Sequence, residues 1–367
     1  MPKISLTDIF FSHGSWSLKF IKFLDFIFGT AISLIVFKSI RTPIPNHVRR
    51  ILIIRPGGIG DAVFLLPILR ILKDNHIQIE ILCEPRNQEV FTSQGYVTYS
   101  YLRLDTWWRV LTHSYDVVVD TEQWHYLTAI LSYCVKTSYR IGFATRALRA
   151  KLFNKQVMYG TNDYELDNFL RLFEGLLPFD YKRIHVNHSF DISGKLKTWA
   201  SQQVPTKSIA VFLGASIAIR RFSKKQILDI VHIILTKGYS PVLLGGRDVV
   251  WCANEVLREN GAQRIYNFVG KVSLTESAAL IQRCQSFIGM DSGGAHLASA
   301  VGTPVLSVFG PGNVHKWQMR GEHHEVLTNN SSCSPCTKFG YTVPSCQGSY
   351  HCLKELDLQK RVSLFIN

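Results

Sequence analysis

Short apolar runs alternate along the chain with longer segments whose apolar residues recur at a helical period. Such runs are typical of strands buried on both faces, and the longer segments favour helices. Predicted strands lie at 51–54, 77–83, 116–120, 209–213, 241–244, 287–290 and 305–309, and predicted helices at 62–73, 224–237, 274–284 and 295–301. The alternation predicts an α/β fold in which helices cover parallel sheets.

The strand–helix pattern occurs twice, which predicts two domains. Pro43 and Pro45 end whatever precedes them, and the pattern starts again after about residue 190. We expect a linker within 187–205, although 195–202 could itself be helical. The predicted division is a hydrophobic N-terminal segment at 1–45, α/β domains at 46–190 and 205–330, and a cysteine-rich tail with a final helix at 331–367.

A glycine-rich turn follows the predicted strand 287–290. Asp291, Ser292, Gly293 and Gly294 separate this strand from a predicted helix. Free backbone N–H groups at a helix N-terminus bind phosphate, and glycine lets the backbone approach a ligand closely. The turn predicts a site for a phosphate or a nucleotide, with a helix-capping role for Asp291 as the alternative.

A second glycine-rich turn follows the first predicted strand. Gly57, Gly58 and Gly60 would let a substrate approach the backbone, and Asp61 stands where the next helix begins. Because ligands of open parallel sheets bind at the carboxyl ends of the strands, this turn is a candidate site. Asp61 is either a carboxylate base or an acidic residue favoured by the helix dipole.

The strand 209–213 also ends in a turn with candidate ligand-binding side chains. Ser216 is followed by Arg220 and Arg221. A hydroxyl and two guanidinium groups suit a diphosphate, because arginine binds phosphate oxygens with two parallel hydrogen bonds. An exposed basic loop is the alternative.

The formal net charge of +14 favours an anionic partner: a nucleotide, a phosphorylated glycan or a membrane surface. A basic solvated surface without a partner is the alternative. A stripe of basic residues interleaved with aromatic residues is absent from the sequence, so nucleic acid is the weakest of the anionic partners and we expect none.

Four of the eight cysteines cluster near the C-terminus, at Cys333, Cys336, Cys346 and Cys352. Four thiols within twenty residues could surround one tetrahedral zinc or iron ion. Two disulfides formed on oxidation, or free thiols, are the alternatives. The remaining cysteines lie among apolar neighbours, and a chain of this length needs no disulfide framework, so we expect a reducing compartment.

The apolar segment 23–37 carries a single charge, Asp25. A helix of this length spans roughly 22 Å, which is short of a hydrocarbon core of about 30 Å. The sequence leaves three alternatives: a helix that lies on an anionic leaflet, a short transmembrane anchor, or a helix packed on the protein or on a second subunit.

These motifs together resemble those of glycosyltransferase family 9, the ADP-heptose:lipopolysaccharide heptosyltransferases and their relatives. The resemblance runs from about residue 49 to the C-terminus. The stretches that carry it are 51–73, 212–227, 245–248 and 289–311, of which the last is the most specific.

The resemblance implies a GT-B fold, with two Rossmann-like domains facing a cleft, and sugar transfer with inversion and without a required metal. It implies that 46–190 binds the acceptor and 205–330 the nucleotide-sugar donor. It assigns the general base to Asp61, the acceptor-side backbone loop to Gly57, Gly58 and Gly60, and donor contacts to Ser216, Arg220, Arg221, Asp248, Asp291, Ser292, Gly293 and Gly294. The family commonly has lysine where this chain has Arg220.

The resulting prediction is an inverting transferase that moves a heptose or a related sugar from a nucleotide sugar such as ADP-heptose to a lipopolysaccharide core or another anionic glycan. We expect it at the cytoplasmic face of a bacterial inner membrane. A GT-B-type nucleotide-sugar epimerase and a non-catalytic nucleotide-sugar-binding partner are the alternatives. An acceptor surface is predicted in 86–110, at Arg86, Arg103, Trp107, Trp108 and Arg109.

Overall fold

The computed structural model describes residues 16–36, 39, 42–176, 184–261, 264–329, 331–338, 341–342, 346 and 351–366. The chain divides into two compact units between Ile184 and His185. The range 187–205, where we expected a linker, lies in the second unit. Its middle forms a helix, Gly194–Gln203, which Ser193 caps by accepting the N–H of Leu196.

The first unit is built on a six-stranded, wholly parallel sheet with the order β3-β2-β1-β4-β5-β6. This is the strand order of Rossmann folds. The strands are β1 Arg50–Arg55, β2 Gln78–Cys83, β3 Val97–Ser100, β4 Ser114–Asp120, β5 Lys136–Phe143 and β6 Lys155–Val157. The helices are α1 Trp16–Ile35, α2 Ile59–Asp74, α3 Pro85–Thr92, α4 Leu104–Thr112, α5 Tyr126–Cys134, α6 Ala147–Ala150 and α7 Glu165–Phe173.

The second unit repeats the same topology. Its six parallel strands have the order β12-β11-β10-β7-β8-β9, and the topology again matches the Rossmann order. The strands are β7 Ser208–Phe212, β8 Ser240–Leu244, β9 Tyr266–Asn267, β10 Ser286–Met290, β11 Val305–Val308 and β12 His324–Leu327. The helices are α8 Gly194–Gln203, α9 Lys224–Thr236, α10 Val250–Asn260, α11 Leu274–Arg283, α12 Gly293–Ala300, α13 Val314–Trp317, α14 His351–Lys354 and α15 Leu358–Phe365.

Smaller elements complete the second unit. Two 3₁₀ turns, Ala218–Arg220 and Arg247–Val249, follow β7 and β8, and a short antiparallel pair joins Thr337–Lys338 to Tyr341–Thr342. The tail belongs to this unit, because Cys352 and Leu353 on α14 and Leu358 and Val362 on α15 lie in its hydrophobic core.

The N-terminal helix α1 is attached to the first unit by a polar contact. The Asp25 carboxylate accepts the backbone N–H groups of Tyr126 (3.0 Å) and Leu127 (2.7 Å), the first two residues of α5. His125 Nδ1 lies 3.4 Å from the same carboxylate. Asp25 thus caps the N-terminus of α5, whose own preceding residue makes no side-chain cap.

The packing of α1 is close. A Cβ on Gly29 would lie 2.2 Å from the Cβ of Tyr126, so only glycine fits there. Phe26 meets the Tyr126 ring edge to face at 6.4 Å, and the Arg146 guanidinium lies 4.9 Å from the Phe26 ring. In the described part of the chain, no helix has the length and apolar content required to cross a membrane.

Candidate functional site

In the first unit, Asp61 lies in the first turn of α2, at the carboxyl end of β1. Its carboxylate accepts a hydrogen bond from Arg55 Nη2 at 3.3 Å, and 28% of its side chain is exposed. The residue before the helix, Gly58, makes no side-chain cap. Asp61 is therefore ion-paired with a buried cation while it stays accessible to a ligand.

Arg55 is the last residue of β1, and its side chain is only 3% exposed. Nη1 donates to the carbonyl of Thr121 at 3.0 Å, and Nη2 lies 3.8 Å from the Glu122 carboxylate. The guanidinium carbon is 5.6 Å from the centre of the Phe169 ring. Sequence reasoning missed both Arg55 and Glu122, although a charged residue ending an apolar strand next to a glycine turn is a usable signal.

The glycines of this turn differ in what they allow. Gly57 has φ +120°, and a Cβ there would lie 2.6 Å from Arg55 Nη2. A Cβ on Gly58 would meet the Asp61 carboxylate at an ordinary 3.5 Å, and Gly60 is already the second residue of α2. Gly57 is the position at which the turn requires glycine, because the backbone there is left-handed and the arginine passes beside it.

A buried ion pair holds the segment that carries Thr121 and Glu122. Arg149 and Asp120 are both fully buried, with Nη2 2.6 Å from Oδ2. Arg149 also donates to the carbonyls of Phe143 (2.6 Å) and Glu122 (2.5 Å). Burial raises the pKa of Asp120 to about 6, although the charge of Arg149 acts in the opposite direction.

The pKa of Glu122 is lowered. Burial alone would raise it, but the charges of His125 and Arg55 and the backbone N–H of Trp124 outweigh that effect. Glu122 is therefore an ionised, buried partner for Arg55.

In the second unit, Asp291 and Arg220 are brought together at the carboxyl edge of the sheet. Asp291 directly follows β10, and its carboxylate lies 3.2 Å from Arg220 Nη1. Both side chains are more than 90% buried. The Arg220 guanidinium carbon also lies 5.7 Å from the centre of the Trp317 ring. Asp291 is therefore the partner of a buried arginine.

Several polar atoms at this edge are buried without a hydrogen bond to any residue that the structure describes. They are Nε and Nη2 of Arg220, Oδ2 of Asp291 and Oγ of Ser292. Buried polar groups are normally hydrogen-bonded, so the two guanidinium nitrogens and the hydroxyl left without a partner here mark a place that a polar ligand would complete.

The helix α12 begins at Gly293, two residues earlier than the sequence indicated, with Ser292 at the cap position but without a side-chain cap bond. Packing explains why residue 294 is glycine, because a Cβ there would lie 2.8 Å from the Phe212 ring. Close approach of the Gly294 backbone to a ligand is therefore not needed to explain the glycine.

The remaining predicted donor residues lie on neighbouring turns. Ser216 is exposed on the loop after β7. Arg221 donates to Asp248 at 2.5 Å and to the carbonyl of Ala215 at 3.2 Å, so it ties that loop to the turn after β8. Arg221 and Asp248 are thus paired with each other.

The cysteine-rich tail is attached next to this edge. Ser334 Oγ donates to the carbonyl of Gly310 at 2.6 Å, and the Cys336 N–H donates to that of Pro311 at 3.2 Å. A Cβ on Gly310 would lie 2.5 Å from Leu353 of α14. The tail therefore rests on the loop that follows β11.

None of the eight cysteines forms a disulfide, and their burial ranges from buried Cys352 to exposed Cys333. Burial raises the pKa of Cys352 to about 11, and the charges of Cys333, Cys336 and Cys346 add to the effect. Across the described residues, no three cysteine, histidine or acidic side chains are grouped so that they could bind a metal ion. The structure thus places the four thiols within electrostatic range of one another without a formed metal centre.

The predicted acceptor surface is mostly exposed. Trp108 is 72% exposed on α4, and Arg109 is exposed beside it, whereas Trp107 donates its indole N–H to the carbonyl of Tyr101 at 2.9 Å. Arg86 pairs with Glu84 at 2.7 Å and Arg103 with Asp105 at 2.7 Å. Trp107 is thus a packing residue, while Trp108 and Arg109 are accessible.

Comparison with known proteins relates this arrangement to a family. The family described as glycosyltransferase family 9 (heptosyltransferase) matches residues 103–345. A lipopolysaccharide heptosyltransferase 3 of Escherichia coli is 40% identical over 86 residues, which is 23% of this chain and 24% of that protein. A lipopolysaccharide heptosyltransferase 3 of Escherichia coli strain K12 is 25% identical over 278 residues, 68% of this chain and 79% of that protein.

Solved structures share the fold. The E. coli ADP-heptose lipopolysaccharide heptosyltransferase II matches with TM-score 0.67 and 17% identity, over 78% of this chain and 92% of that one. The heptosyltransferase TibC, described as dodecameric and iron-containing and solved in complex with ADP-D-beta-D-heptose, matches with TM-score 0.55 and 13% identity, over 87% of this chain and 76% of that one. These matches confirm the predicted GT-B class, and the family match covers both units: the chain belongs to glycosyltransferase family 9, the heptosyltransferase family.

Proposed function

We propose that this protein is an inverting glycosyltransferase that moves a heptose or a related sugar from an ADP-linked donor to a lipopolysaccharide core or a similar anionic glycolipid. The observation that carries the proposal is Asp61, a partly exposed carboxylate paired with buried Arg55 at the carboxyl edge of its sheet. Family membership and the names of the relatives support transfer over epimerisation.

In the proposed reaction, Asp61 accepts the proton of an acceptor hydroxyl while that oxygen attacks the anomeric carbon. A new carbon–oxygen bond forms as the bond from the sugar to the diphosphate breaks, and the nucleoside diphosphate leaves with the bonding electrons. Attack from the face opposite the leaving group inverts the anomeric carbon. A carboxylate suffices as base because the hydroxyl loses its proton only as the new bond forms.

The donor diphosphate would bind at the carboxyl edge of the second sheet. The unpaired nitrogens of Arg220 and the hydroxyl of Ser292 would donate to phosphate oxygens, as would the first backbone N–H groups of α12. Ser216, Gly293 and Gly294 are the further proposed contacts, with Asp248 near the ribose. Donors aimed at the leaving diphosphate stabilise the charge that develops on it.

Thermal-shift screening against ADP-, UDP- and GDP-sugars tests the donor assignment. A ligand at 100 times its dissociation constant stabilises by about 2.7 kcal/mol, and we expect this shift with ADP-heptose. Arg220→Gln should remove most of the shift, whereas the control Arg258→Gln, which changes an exposed arginine of α10, should keep it. Equal shifts in both variants would rule out Arg220 as a donor ligand.

The described part of α1 has an apolar stripe on the side away from α5. Its exposed members are Phe20 (60%), Ile27 (44%), Phe28 (60%), Ile32 (42%), Leu34 (65%) and Ile35 (82%). The opposite side, with Asp25 and Gly29, is packed on the first unit. Together with the net charge of +14, this stripe supports an anionic leaflet as the partner of α1, with the helix lying in the interface.

We expect the protein to sediment with vesicles of phosphatidylglycerol and phosphatidylethanolamine, and less so in high salt. Each phenylalanine contributes roughly 1.5–3 kcal/mol on burial, so Phe20→Gln with Phe28→Gln should weaken binding by about 10²- to 10⁴-fold. Leu364→Gln, at a side chain 54% exposed in the second unit, is the matched control. A dimer lost in the double variant, without vesicle binding, would assign the stripe to a second copy of the chain.

For the tail, we propose that Cys333, Cys336, Cys346 and Cys352 bind one zinc or iron ion with a structural role. The support is the clustering of the four thiols within twenty residues of the sequence, since thiolates favour these two metals. Anaerobically purified protein should contain about one ion per chain, and Cys336→Ser should lose it. Ion-free protein with four reactive thiols would overturn the assignment.

A further inference from the structure

We propose that Arg55 is a positioning residue for Asp61: its guanidinium orients the carboxylate so that one oxygen stays available for the acceptor proton. The inference rests on the proposed function, in which Asp61 is the base.

The guanidinium of Arg55 is held independently of Asp61. Nη1 is fixed by the Thr121 carbonyl at the end of β4, and the Phe169 ring of α7 lies against the group. Its main chain is also anchored, because Asn87 of α3, fully buried, donates Nδ2 to the Arg55 carbonyl at 3.1 Å. Contacts from three separate elements leave the arginine little freedom, which a positioning group requires.

The Asp61 carboxylate depends on this arginine. Within the described residues, the bond from Arg55 Nη2 to Oδ2 is the one hydrogen bond that the carboxylate makes. The other oxygen, Oδ1, is left to accept a proton from a substrate. A freely rotating carboxylate would sample many orientations, whereas this contact selects one of them.

The turn before α2 is built around this contact. A Cβ at Gly57 would lie 2.6 Å from Arg55 Nη2, closer than real Cβ contacts come. The backbone at Gly57 is also left-handed, with φ +120°. A larger residue at this position would displace the guanidinium, so the glycine leaves room for the hydrogen bond from Arg55 to Asp61.

Glu122 keeps Arg55 in place when Asp61 takes up a proton. Its carboxylate lies 3.8 Å from the same Nη2 and is buried. Protonation removes the negative charge of Asp61, and a buried arginine without any other partner would then be strongly unfavourable. With Glu122 present, the positive charge of Arg55 is still balanced after Asp61 is protonated, so the arginine keeps its position.

A double-mutant cycle tests the proposal on the full-length protein. We expect Arg55→Met to lower kcat on the order of a hundredfold, with the donor dissociation constant unchanged, because misplacing a reacting group has effects of this size. In an Asp61→Asn background the same change should cause no further loss, since Arg55 acts through Asp61. Arg55→Lys should recover part of the rate, because it keeps the charge but lacks the planar fork.

The control is Arg50→Met, at the other end of β1, where the arginine pairs with Glu80 instead. It should leave kcat unchanged, and thermal unfolding of every variant identifies losses that come from misfolding. If Arg55→Met does not fold, the effect of Arg55→Lys on kcat still tests the positioning role. Additive losses in the cycle, or full activity of Arg55→Lys and Arg55→Met, would overturn the positioning role. Retained turnover in Asp61→Asn would instead overturn the base assignment.

Discussion

Replacement of Asp61 by asparagine is expected to lower kcat by about 10²- to 10⁴-fold, the contribution typical of a general base. Asparagine keeps the size of the side chain but cannot accept the acceptor proton. The donor dissociation constant should not change, because the proposed donor contacts lie in the second unit. Release of nucleoside diphosphate from ADP-heptose, measured with a glycolipid acceptor, together with thermal shifts, separates the two quantities.

Asp167→Asn is the matched control, because Asp167 lies in the first turn of α7 as Asp61 does in that of α2. If the only role of Asp61 were a favourable interaction with the helix dipole, both substitutions would lower the stability by about 0.3–1 kcal/mol and neither would affect turnover. Tight donor binding without turnover by the unaltered protein, whatever sugar nucleotide is offered, would favour the non-catalytic alternative.

Arg149→Met is expected to destabilise the first unit by about 3–5 kcal/mol, since it leaves a buried charge without its partner. Asp120 would lose its ion pair, and the carbonyls of Phe143 and Glu122 would lose a donor. Urea unfolding followed by intrinsic fluorescence measures the change. Because the chain has two units, the transition of the first must be followed separately.

Two further variants check the cause of this loss. Arg258→Met removes an exposed arginine paired with Glu255 and should change stability by less than about 1 kcal/mol. Asp120→Leu combined with Arg149→Met should recover part of the loss, because replacing both partners removes the unpaired charge. A loss below about 1 kcal/mol in Arg149→Met alone would contradict the structural role of the pair.

Strands that contain a short apolar run could be predicted from the sequence, namely β1, β2, β4, β7, β8, β10 and β11. The strands β3, β5, β6, β9 and β12 were missed, because they are shorter or mix polar with apolar residues. The runs 51–54 and 287–290 lie inside β1 and β10, and each boundary differs by at most one residue. The predicted helix starts at 224 and 274 coincide with those of α9 and α11, but the other two were late. We placed helix starts at residues 62 and 295, whereas α2 begins at Ile59 and α12 at Gly293. Both first turns contain glycine, which is tolerated there because the first N–H groups of a helix make no intrahelical hydrogen bond.

Candidate ligand positions could likewise be found from glycine turns at strand ends. Their partners could not. Arg55 was hidden at the end of an apolar strand, Glu122 and Arg149 lie on segments without a motif, and Asp25 was a single charge in an apolar stretch. Their roles depend on partners that are distant in the chain. Arg149, for example, pairs with Asp120, and Asp25 accepts hydrogen bonds from the N-terminus of α5.

The sequence by itself determined the α/β class and the division into two domains, because apolar periodicity is a local property of the chain, and its motifs carried the resemblance to the family. Only the tertiary structure decided that Asp61 is paired with Arg55, that Asp291 is the partner of Arg220, and that α1 is attached through Asp25. The physical reason is that a buried charge requires a counter-charge or a hydrogen-bonding group, and the fold alone brings that partner to it.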